Sequence, residues 1–442
     1  MLLLTSSVAA AMILTGCGAS VLSPAGTAIT APATVAAKPL QGMVMGGQQP
    51  VANVTLQLYQ AGTAGYGSAA TPLGATATTN AGGNFNLPSY TCTAGSQVYL
   101  VGTGGQPIAA TMSMPAVTNN NLALMVGLGT CGGTYLNNFI NVNELTTVAT
   151  VWALSPFMTG IANIGTSSTN TAGLADAFAA INELVTTANG TQPGPTLPAG
   201  ATLPTTEINT LADILEQCIN SGGGVAGDGS NCGNLFNLAP NAAGTVYPTD
   251  TIAAALNMAQ SPGRNVANLN KLRSASPVFQ PALDVNSPPN AWTIAITYTG
   301  GGLSAPSSIA TDAGGNVWVT NAGNASVTKL DNTGAVVINS TAGGFSSPSA
   351  IAIDASGNAW VANAGNNTVT RLNSAGTSGA VYSANGLNAP KSIAIDGSGD
   401  VWVANGGSNQ VSGFSASGSA LSGSPYPGAG ATTPVSVAVT PK

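Results

Sequence analysis

Short apolar runs alternate with turn residues through the last third of the chain, and the pattern recurs every 42 residues. One unit reads as four strands, over 350–354, 358–363, 368–372 and 380–382. A repeat of about 40–45 residues with several short strands is typical of a β-propeller blade. Strands counted from Trp292 number 14, fewer than the roughly 16 of a four-bladed ring. The pattern therefore predicts a partial propeller of about three and a half blades over 290–442.

Two other patterns precede the repeats. Over 39–116 the apolar positions alternate with period two, as in 51–59, which predicts an antiparallel β-sandwich. Over 117–289 they recur at helical spacing, which predicts a small helical bundle. Its helices are expected over 144–154, from 174 to a cap at Gly190, from Thr206 to Gly222, and from a cap at Thr249 or Asp250 through Met258. The chain is thus expected to be multidomain and mainly β, with a helical middle.

The first residues form an apolar run that ends at Leu14-Thr15-Gly16-Cys17. The run is too short to span a bilayer of about 30 Å. It resembles the lipobox of bacterial lipoproteins, which implies that 1–17 is a signal peptide with a lipobox and that Cys17 is acylated as the mature N-terminus. No Lys or Arg precedes the run, so the natural start is expected upstream of Met1.

The segment 18–38 is rich in Ala, Thr, Ser and Pro and is expected to be a flexible tether. A lipid on Cys17 would hold the folded part close to a membrane of the cell envelope. In Gram-negative lipoproteins an Asp after the cysteine often signals retention at the inner membrane. Gly18 stands there in this chain, so the resemblance points to the outer membrane.

Charged residues are scarce. The 442 residues include 8 Lys+Arg and 14 Asp+Glu, which gives a formal net charge of −6. Eight scattered cations cannot build the basic stripe that a phosphate backbone requires, so nucleic-acid binding is excluded. The sequence contains no histidine, which removes His-based triads, His general bases and His metal ligands together.

Four cysteines remain once Cys17 is assigned to lipid, namely Cys92, Cys131, Cys218 and Cys232. An even number in an oxidising compartment favours disulfides, and four cysteines allow three pairings. Cys218 and Cys232 flank a glycine-rich loop, and closing such a loop contributes about 3 kcal/mol. We therefore favour that pair, which leaves Cys92 with Cys131. No CxxC spacing occurs, which argues against a redox or zinc role.

Three residue types keep the same step in every repeat: Asp312, Asp354 and Asp396; Trp318, Trp360 and Trp402; Asn321, Asn363 and Asn405. One acid per blade could converge on a metal ion, but each Asp is better explained as the acceptor of backbone N–H groups in its own turn. The tryptophans could stack on a ligand, but they are better explained as packing between blades. The asparagines end strands and are candidates for lining a ligand-contacting polar face.

The four glutamates of the chain all fall in the helical segment: Glu144, Glu183, Glu207 and Glu216. We expect them at helix starts or on exposed helical faces, where the helix dipole or solvent accounts for them. No pair of them forms a recognisable acid and base for catalysis.

Two parts of the sequence resemble known families. The stretches Gly42-Met-Val44, 46–54 and 79–85 resemble the carboxypeptidase regulatory-like domain, a transthyretin-type sandwich that normally serves as a spacer, with Asn80 where that family usually has Asp. The repeat motif Pro-x-Ser/Ala-Ile-Ala-Ile/Thr-Asp-x-x-Gly-Asn/Asp-x-Trp-Val-Ala/Thr-Asn-x-Gly resembles NHL-repeat proteins and virginiamycin B lyase-type propellers. Lyases of this type rely on histidine, which is absent from this sequence.

Together these patterns predict a lipid-anchored binding or scaffold protein whose propeller contacts a protein or a glycan, with no catalytic residue, metal or cofactor. One alternative is a propeller enzyme of the lyase or lactonase type that uses Asp/Asn metal ligands; another is a purely structural envelope protein. An arc that does not close leaves an edge strand and apolar faces open. The chain is therefore expected to be a truncated gene product, or to be completed by another chain, including by self-association at the open edge.

Overall fold

The computed structural model of the chain describes residues 33–107, 117–133, 139–427 and 432–439. Cys17, the predicted lipobox and most of the predicted tether lie outside the described residues. From Thr34 onward the chain forms one compact unit. Within the described ranges, no helix combines the length and the apolar character that crossing a bilayer requires.

The N-terminal part is a sandwich of two main sheets. Its strands are β1 Thr34–Ala37, β2 Leu40–Gly46, β3 Gln49–Ala52, β4 Thr55–Gln60, β5 Thr71–Thr78, β6 Asn84–Leu87, β7 Tyr90–Thr93, β8 Gln97–Thr103, β9 Gln106–Pro107, β10 Ala123–Thr130 and β11 Phe139–Val142. One sheet has the order β10-β8-β4-β5, and the other has the order β11-β2-β3-β9 with β6 paired to β2. Alternate residues of β2 are buried, as the period-two pattern predicts.

The sandwich extends past both of its predicted boundaries. Thr34–Ala37 pairs with Tyr90–Thr93, so the end of the predicted tether is a strand. Strands β10 and β11, predicted inside the helical segment, pair with β8 and β2. Six consecutive residues of β10 are buried, and a continuous apolar run does not distinguish a buried strand from a buried helix.

Six α-helices, one 3-10 helix over Ser155–Phe157 and three short strands follow in the described residues. They are α1 Glu144–Leu154, α2 Thr171–Leu184, α3 Thr205–Ile219, α4 Asn231–Leu238, α5 Thr251–Gln260 and α6 Val266–Asn270, with β12 Met158–Gly160, β13 Asn163–Ile164 and β14 Ala201–Thr202. The sequence predicts α1, α2, α3 and α5 but not α4 or α6. Helix α2 ends before the expected cap at Gly190 because Val185 is already extended. Asp250 caps α5 by accepting the N–H of Ala253.

Helix α1 lies against β10, the edge strand of its sheet. Thr147 Oγ1 accepts the N–H of Met125 at 3.0 Å, and Thr150 Oγ1 accepts the N–H of Gly127 at 2.9 Å. These hydroxyls satisfy edge groups that would otherwise be open to another strand. One hydrophobic core spans the sheets and the helices. The two regions predicted as separate domains are therefore one folded region, called the body below.

Both favoured disulfides are present, which confirms the pairing. Cys92 in β7 joins Cys131, just after β10, with 6.0 Å between their Cα atoms. Cys218 in α3 joins Cys232 in α4, with a Cα separation of 4.3 Å. The second disulfide closes the glycine-rich loop, as the sequence predicts.

Three four-stranded antiparallel sheets complete the fold, each with its strands in sequence order. Blade 1 is β16 Pro306–Thr311, β17 Val317–Asn321, β18 Ser326–Leu330 and β19 Val336–Ser340; blade 2 is β20 Pro348–Ile353, β21 Ala359–Asn363, β22 Thr368–Leu372 and β23 Gly379–Tyr382; blade 3 is β24 Pro390–Ile395, β25 Val401–Asn405, β26 Gln410–Phe414 and β27 Tyr426–Pro427. Two smaller apolar cores lie between successive blades. The mainly β, multidomain fold with a partial propeller is confirmed.

The strands predicted on either side of the three blades are corrected. Strand β15, Thr297–Tyr298, pairs with β14 of the body. Residues 432–439 carry no strand pairing, so the described chain has three complete blades without a paired half blade. Blade 1 is bonded to helix α2 through Asn332 Nδ2 in the β18–β19 hairpin, which donates to Asp176 Oδ1 at 3.0 Å. The hydroxyl of Tyr298 in β15 also bonds to α2, since it donates to Glu183 Oε2 at 3.0 Å.

Candidate functional site

The three repeated aspartates lie at the first hairpin of each blade and accept hydrogen bonds from its backbone. In blade 1, Asp312 Oδ1 accepts the N–H groups of Gly314 and Asn316 at 2.9 and 3.0 Å. Asp354 and Asp396 accept the equivalent pairs of N–H groups in blades 2 and 3. The turn interpretation is confirmed. Among the described residues, no group of three or more Cys, Asp or Glu side chains is placed to hold a metal ion.

The repeated tryptophans fill the gaps between blades and also bond to these aspartates. Trp318 packs against blade 2 and Trp360 against blade 3, and both are fully buried. The indole N–H donates to Asp Oδ2 of the same blade at 3.1, 3.1 and 3.0 Å in blades 1, 2 and 3. Trp402 is only half-buried. The packing interpretation is confirmed where a following blade exists. The sequence pattern does not predict the hydrogen bond to Asp.

In blades 1 and 2 a cationic side chain lies next to the hydrogen-bonded Asp and Trp. Lys329 Nζ lies 3.3 Å from Asp312 Oδ2 and 4.6 Å from the ring centre of Trp318. Arg371 takes the equivalent place in blade 2. Burial raises the pKa of Asp312, but the hydrogen bonds from Asn316 and Trp318 outweigh it and lower the pKa to about 2. This carboxylate is therefore charged at any physiological pH.

The repeated asparagines, Asn321, Asn363 and Asn405, are fully buried, which corrects their assignment as ligand contacts. Asn321 Nδ2 donates to Ser326 Oγ at 3.1 Å and to Thr328 Oγ1 at 3.0 Å. Asn363 makes the same two bonds to hydroxyls of blade 2, and Asn405 donates to a serine hydroxyl of blade 3. Each amide ties the second strand of its blade to the third, and its side chain has no surface to offer a ligand.

Glu144 lies at the start of α1, as expected, but it is fully buried. Glu183 and Glu216 are also buried, which corrects their placement on exposed helical faces. Glu144 Oε1 accepts the N–H of Gly47, from the β2–β3 turn, at 2.8 Å. Its Oε2 is buried without a hydrogen-bond partner in the described residues. Burial raises the pKa of Glu144 to about 8 and that of nearby Asp213 to about 6. Glu144 is therefore largely protonated at neutral pH.

Each blade turns one face, here called its leading face, toward the preceding blade. On the leading faces of blades 2 and 3, Ile351 and Ile393 are 6% and 8% exposed. Among the described residues no blade precedes blade 1, and its equivalent Ile309 is 66% exposed. A cavity of about 390 Å³ lies on this face, lined by Leu303, Pro306, Ser307, Ser308, Ile309 and Val319. The 42-residue step aligns these isoleucines, but only the blade order reveals that one of them is uncovered.

The other end of the arc is partly covered. The N–H of Thr433 donates to Asn409 Oδ1 at 2.9 Å. The equivalent bond between blades 2 and 3 is made by Ala389, the residue just before β24, whose N–H donates to Asn367 Oδ1 at 2.7 Å. Thr433 and Ala389 also share a positive φ, of 49° and 43°. Residues 432–439 therefore lie where the first strand of a following blade would begin. The half-buried Trp402 lies on the blade 3 face that this next blade would cover.

No protein-family model matches the chain, and no curated protein matches it. Part of the chain is similar to a solved streptogramin B lyase, with 19% identity over 27% of this chain and 40% of that chain and a TM-score of 0.24. It is similar to virginiamycin B lyase from Staphylococcus aureus, with 20% identity, 26% and 40% coverage and a TM-score of 0.23. A chain of a nidogen–laminin complex gives 17% identity, 26% and 46% coverage and a TM-score of 0.23. This chain thus spans less than half the length of each, and the blade assignment rests on the strand pairing described above.

Proposed function

We propose that this protein is a non-catalytic binding or scaffold protein of the cell envelope that holds a partner protein on the open leading face of blade 1. The observation that carries this proposal is the 66% exposure of Ile309, against 6% and 8% at the two equivalent positions. Burying one such side chain at an interface contributes about 1.5–3 kcal/mol. The face is therefore a surface that gains free energy when it is covered.

The chemistry of this face favours a protein over a glycan. Leu303, Pro306, Ile309 and Val319 form most of its cavity lining, and exposed apolar patches of this kind mark protein contacts. The repeated asparagines are fully buried inside the blades. The repeated aspartates are committed to their turns, so a scaffold accounts for the repeats better than a metal-dependent enzyme does.

Envelope location rests on the N-terminal resemblance and is supported by the two disulfides, which persist in oxidising compartments. We propose that Cys17 carries the lipid. In a Gram-negative host fed labelled palmitate, the wild-type chain should take up label and fractionate with the outer membrane. Cys17→Ala should do neither, and uptake of label by that variant would contradict the anchor.

The binding proposal is tested by capture from envelope extracts of the producing cells. Ile309→Asp places a charge on the open face and is expected to abolish capture of the partner. Val225→Asp is the matched control, because Val225 is 67% exposed and lies in the glycine-rich loop of the body. Equal capture by wild type and Ile309→Asp, with both variants folded by circular dichroism, would overturn the proposal.

A further inference from the structure

A second cavity, of about 370 Å³, opens in blade 2 and has a different character. It is lined by Asn358, Arg371, Asn373, Ser378, Gly379 and Ala380. These residues come from the first hairpin, from the end of β22, from the β22–β23 hairpin and from the start of β23. Amide, hydroxyl and guanidinium groups therefore meet in one recess, called the blade 2 cavity below.

Arg371 is less well bonded than its counterpart in blade 1. Lys329 Nζ donates to the backbone oxygen of Ser374 at 2.9 Å and also pairs with Asp312 at 3.3 Å. Arg371 Nε is buried and has no hydrogen-bond partner among the described residues. Its ion-pair partner, Asp354 Oδ2, lies 3.7 Å away, which is beyond hydrogen-bond distance.

Asp354 is already engaged by other donors. Its Oδ1 accepts the N–H groups of Ser356 and Asn358, each at 2.9 Å, and its Oδ2 accepts the indole N–H of Trp360 at 3.1 Å. Asn358 Nδ2 donates to both oxygens. The carboxylate therefore does not occupy the donors of Arg371. The guanidinium carbon lies 5.5 Å from the ring centre of Trp360, so the side chain is held over an aromatic face.

We propose that the blade 2 cavity binds an acidic sugar, with Arg371 donating two parallel hydrogen bonds to the sugar carboxylate. The planar guanidinium fork matches a carboxylate in this bidentate manner. The Ser378 hydroxyl and the Oδ1 atom of Asn358 suit the hydroxyls of a sugar ring. Asn358 Nδ2 is already engaged by Asp354, and the Asn373 amide is engaged by Thr377 and the Ser378 N–H, so these groups shape the wall of the cavity. The equivalent positions hold Lys329 in blade 1 and Gly413 in blade 3, so the site belongs to blade 2 alone and is separate from the open face of blade 1.

The test uses the intact chain and D-glucuronate as the probe, with D-glucose and acetate as comparison ligands, followed by ligand-observed NMR at millimolar concentrations. Glucuronate should bind more tightly than either comparison ligand. Arg371→Gln should weaken glucuronate binding by about 10-fold or more, since a hydrogen-bonded charge is lost. Lys329→Gln, the matched change in blade 1, should leave it unchanged. Ala380→Phe, at an exposed position of the cavity wall, should block binding with the arginine intact.

Three results would overturn the proposal. One is glucuronate binding that Arg371→Gln leaves unchanged. Another is equal affinity for acetate and glucuronate, which would mean that the sugar ring is not recognised. The third is no binding of glucuronate to the wild-type chain. Because Ile309 is not part of this cavity, capture of a protein partner on blade 1 succeeds or fails independently of these results.

Discussion

Replacing Glu144 by glutamine is expected to flatten the pH dependence of the stability of the body. The carboxyl group is fully buried at the start of α1, where it accepts the Gly47 N–H at 2.8 Å. Burial is the main cause of its raised pKa, and the charges of Glu216 and Asp213 raise it further. Glutamine keeps the acceptor for Gly47 and has nothing to ionise.

The sign and size follow from the two pKa values. The carboxyl titrates near its ordinary value of 4.5 in the unfolded chain and near 8 in the folded protein. Between these values the folded state retains a proton that the unfolded state has released, so rising pH favours unfolding. The stabilising contribution is complete below about 4.5 and is lost as the pH rises through about 8. At about 1.4 kcal/mol per pH unit, the free energy of unfolding should fall by roughly 5 kcal/mol between the two pKa values.

The assay is urea unfolding of the disulfide-intact chain at about pH 5 and about pH 8. Unfolding of the body is followed by the far-ultraviolet circular dichroism signal of its helices. The wild-type body should be less stable at the higher pH, and Glu144→Gln should lose most of that difference. Glu207→Gln is the control, because Glu207 on α3 is only partly buried and should contribute less. Equal stability of the wild type at both pH values, or an unchanged slope in Glu144→Gln, would show that the buried carboxyl is already ionised.

Three further changes probe the scaffold. Trp360→Phe removes the indole N–H that donates to Asp354. The free energy of unfolding, measured by calorimetry, should fall by about 2–3 kcal/mol. Trp402→Phe should cost less, because Trp402 is only half-buried. Asn363→Ala removes two hydrogen bonds to buried hydroxyls and should cost about 2 kcal/mol in the same measurement; an unchanged transition would contradict its role as a tie between strands. Replacing Cys218 and Cys232 by serine should lower the free energy of unfolding by about 3 kcal/mol and speed proteolysis of the glycine-rich loop. An unchanged cleavage rate would contradict the role of this disulfide in ordering the loop.

The blades were predictable because their contacts repeat with the sequence. The 42-residue step places Asp354 in a local hairpin and Trp360 against the next unit, and both roles follow from residue type and spacing. Disulfide pairing was predictable for a similar reason, since a glycine-rich loop separates Cys218 from Cys232. Local or neighbouring contacts of this kind leave a periodic or short-range signal.

Features that depend on distant packing left no such signal. Glu144 follows the capping residue Asn143 and looks like an ordinary helix-start acid, but a turn 97 residues earlier in the chain packs on it. Asn363 ends a strand, and its position alone does not tell which side of the sheet it faces. Strand β10 lacks alternation because α1 and α2 cover it. In each case the missing information is the identity of the neighbour.

The repeated Asp–Trp and Asn–hydroxyl hydrogen bonds of a blade close within one repeat, whereas its apolar contacts are made with the neighbouring blades. Asp312 bonds to Trp318 and pairs with Lys329, and Asn321 bonds to the hydroxyls of Ser326 and Thr328, all inside 42 residues. A gene segment of that length can therefore be duplicated or deleted without breaking these repeated bonds. Arrays of this kind can lengthen or shorten over evolution. Such changes alter which apolar blade faces are exposed to solvent at the two ends.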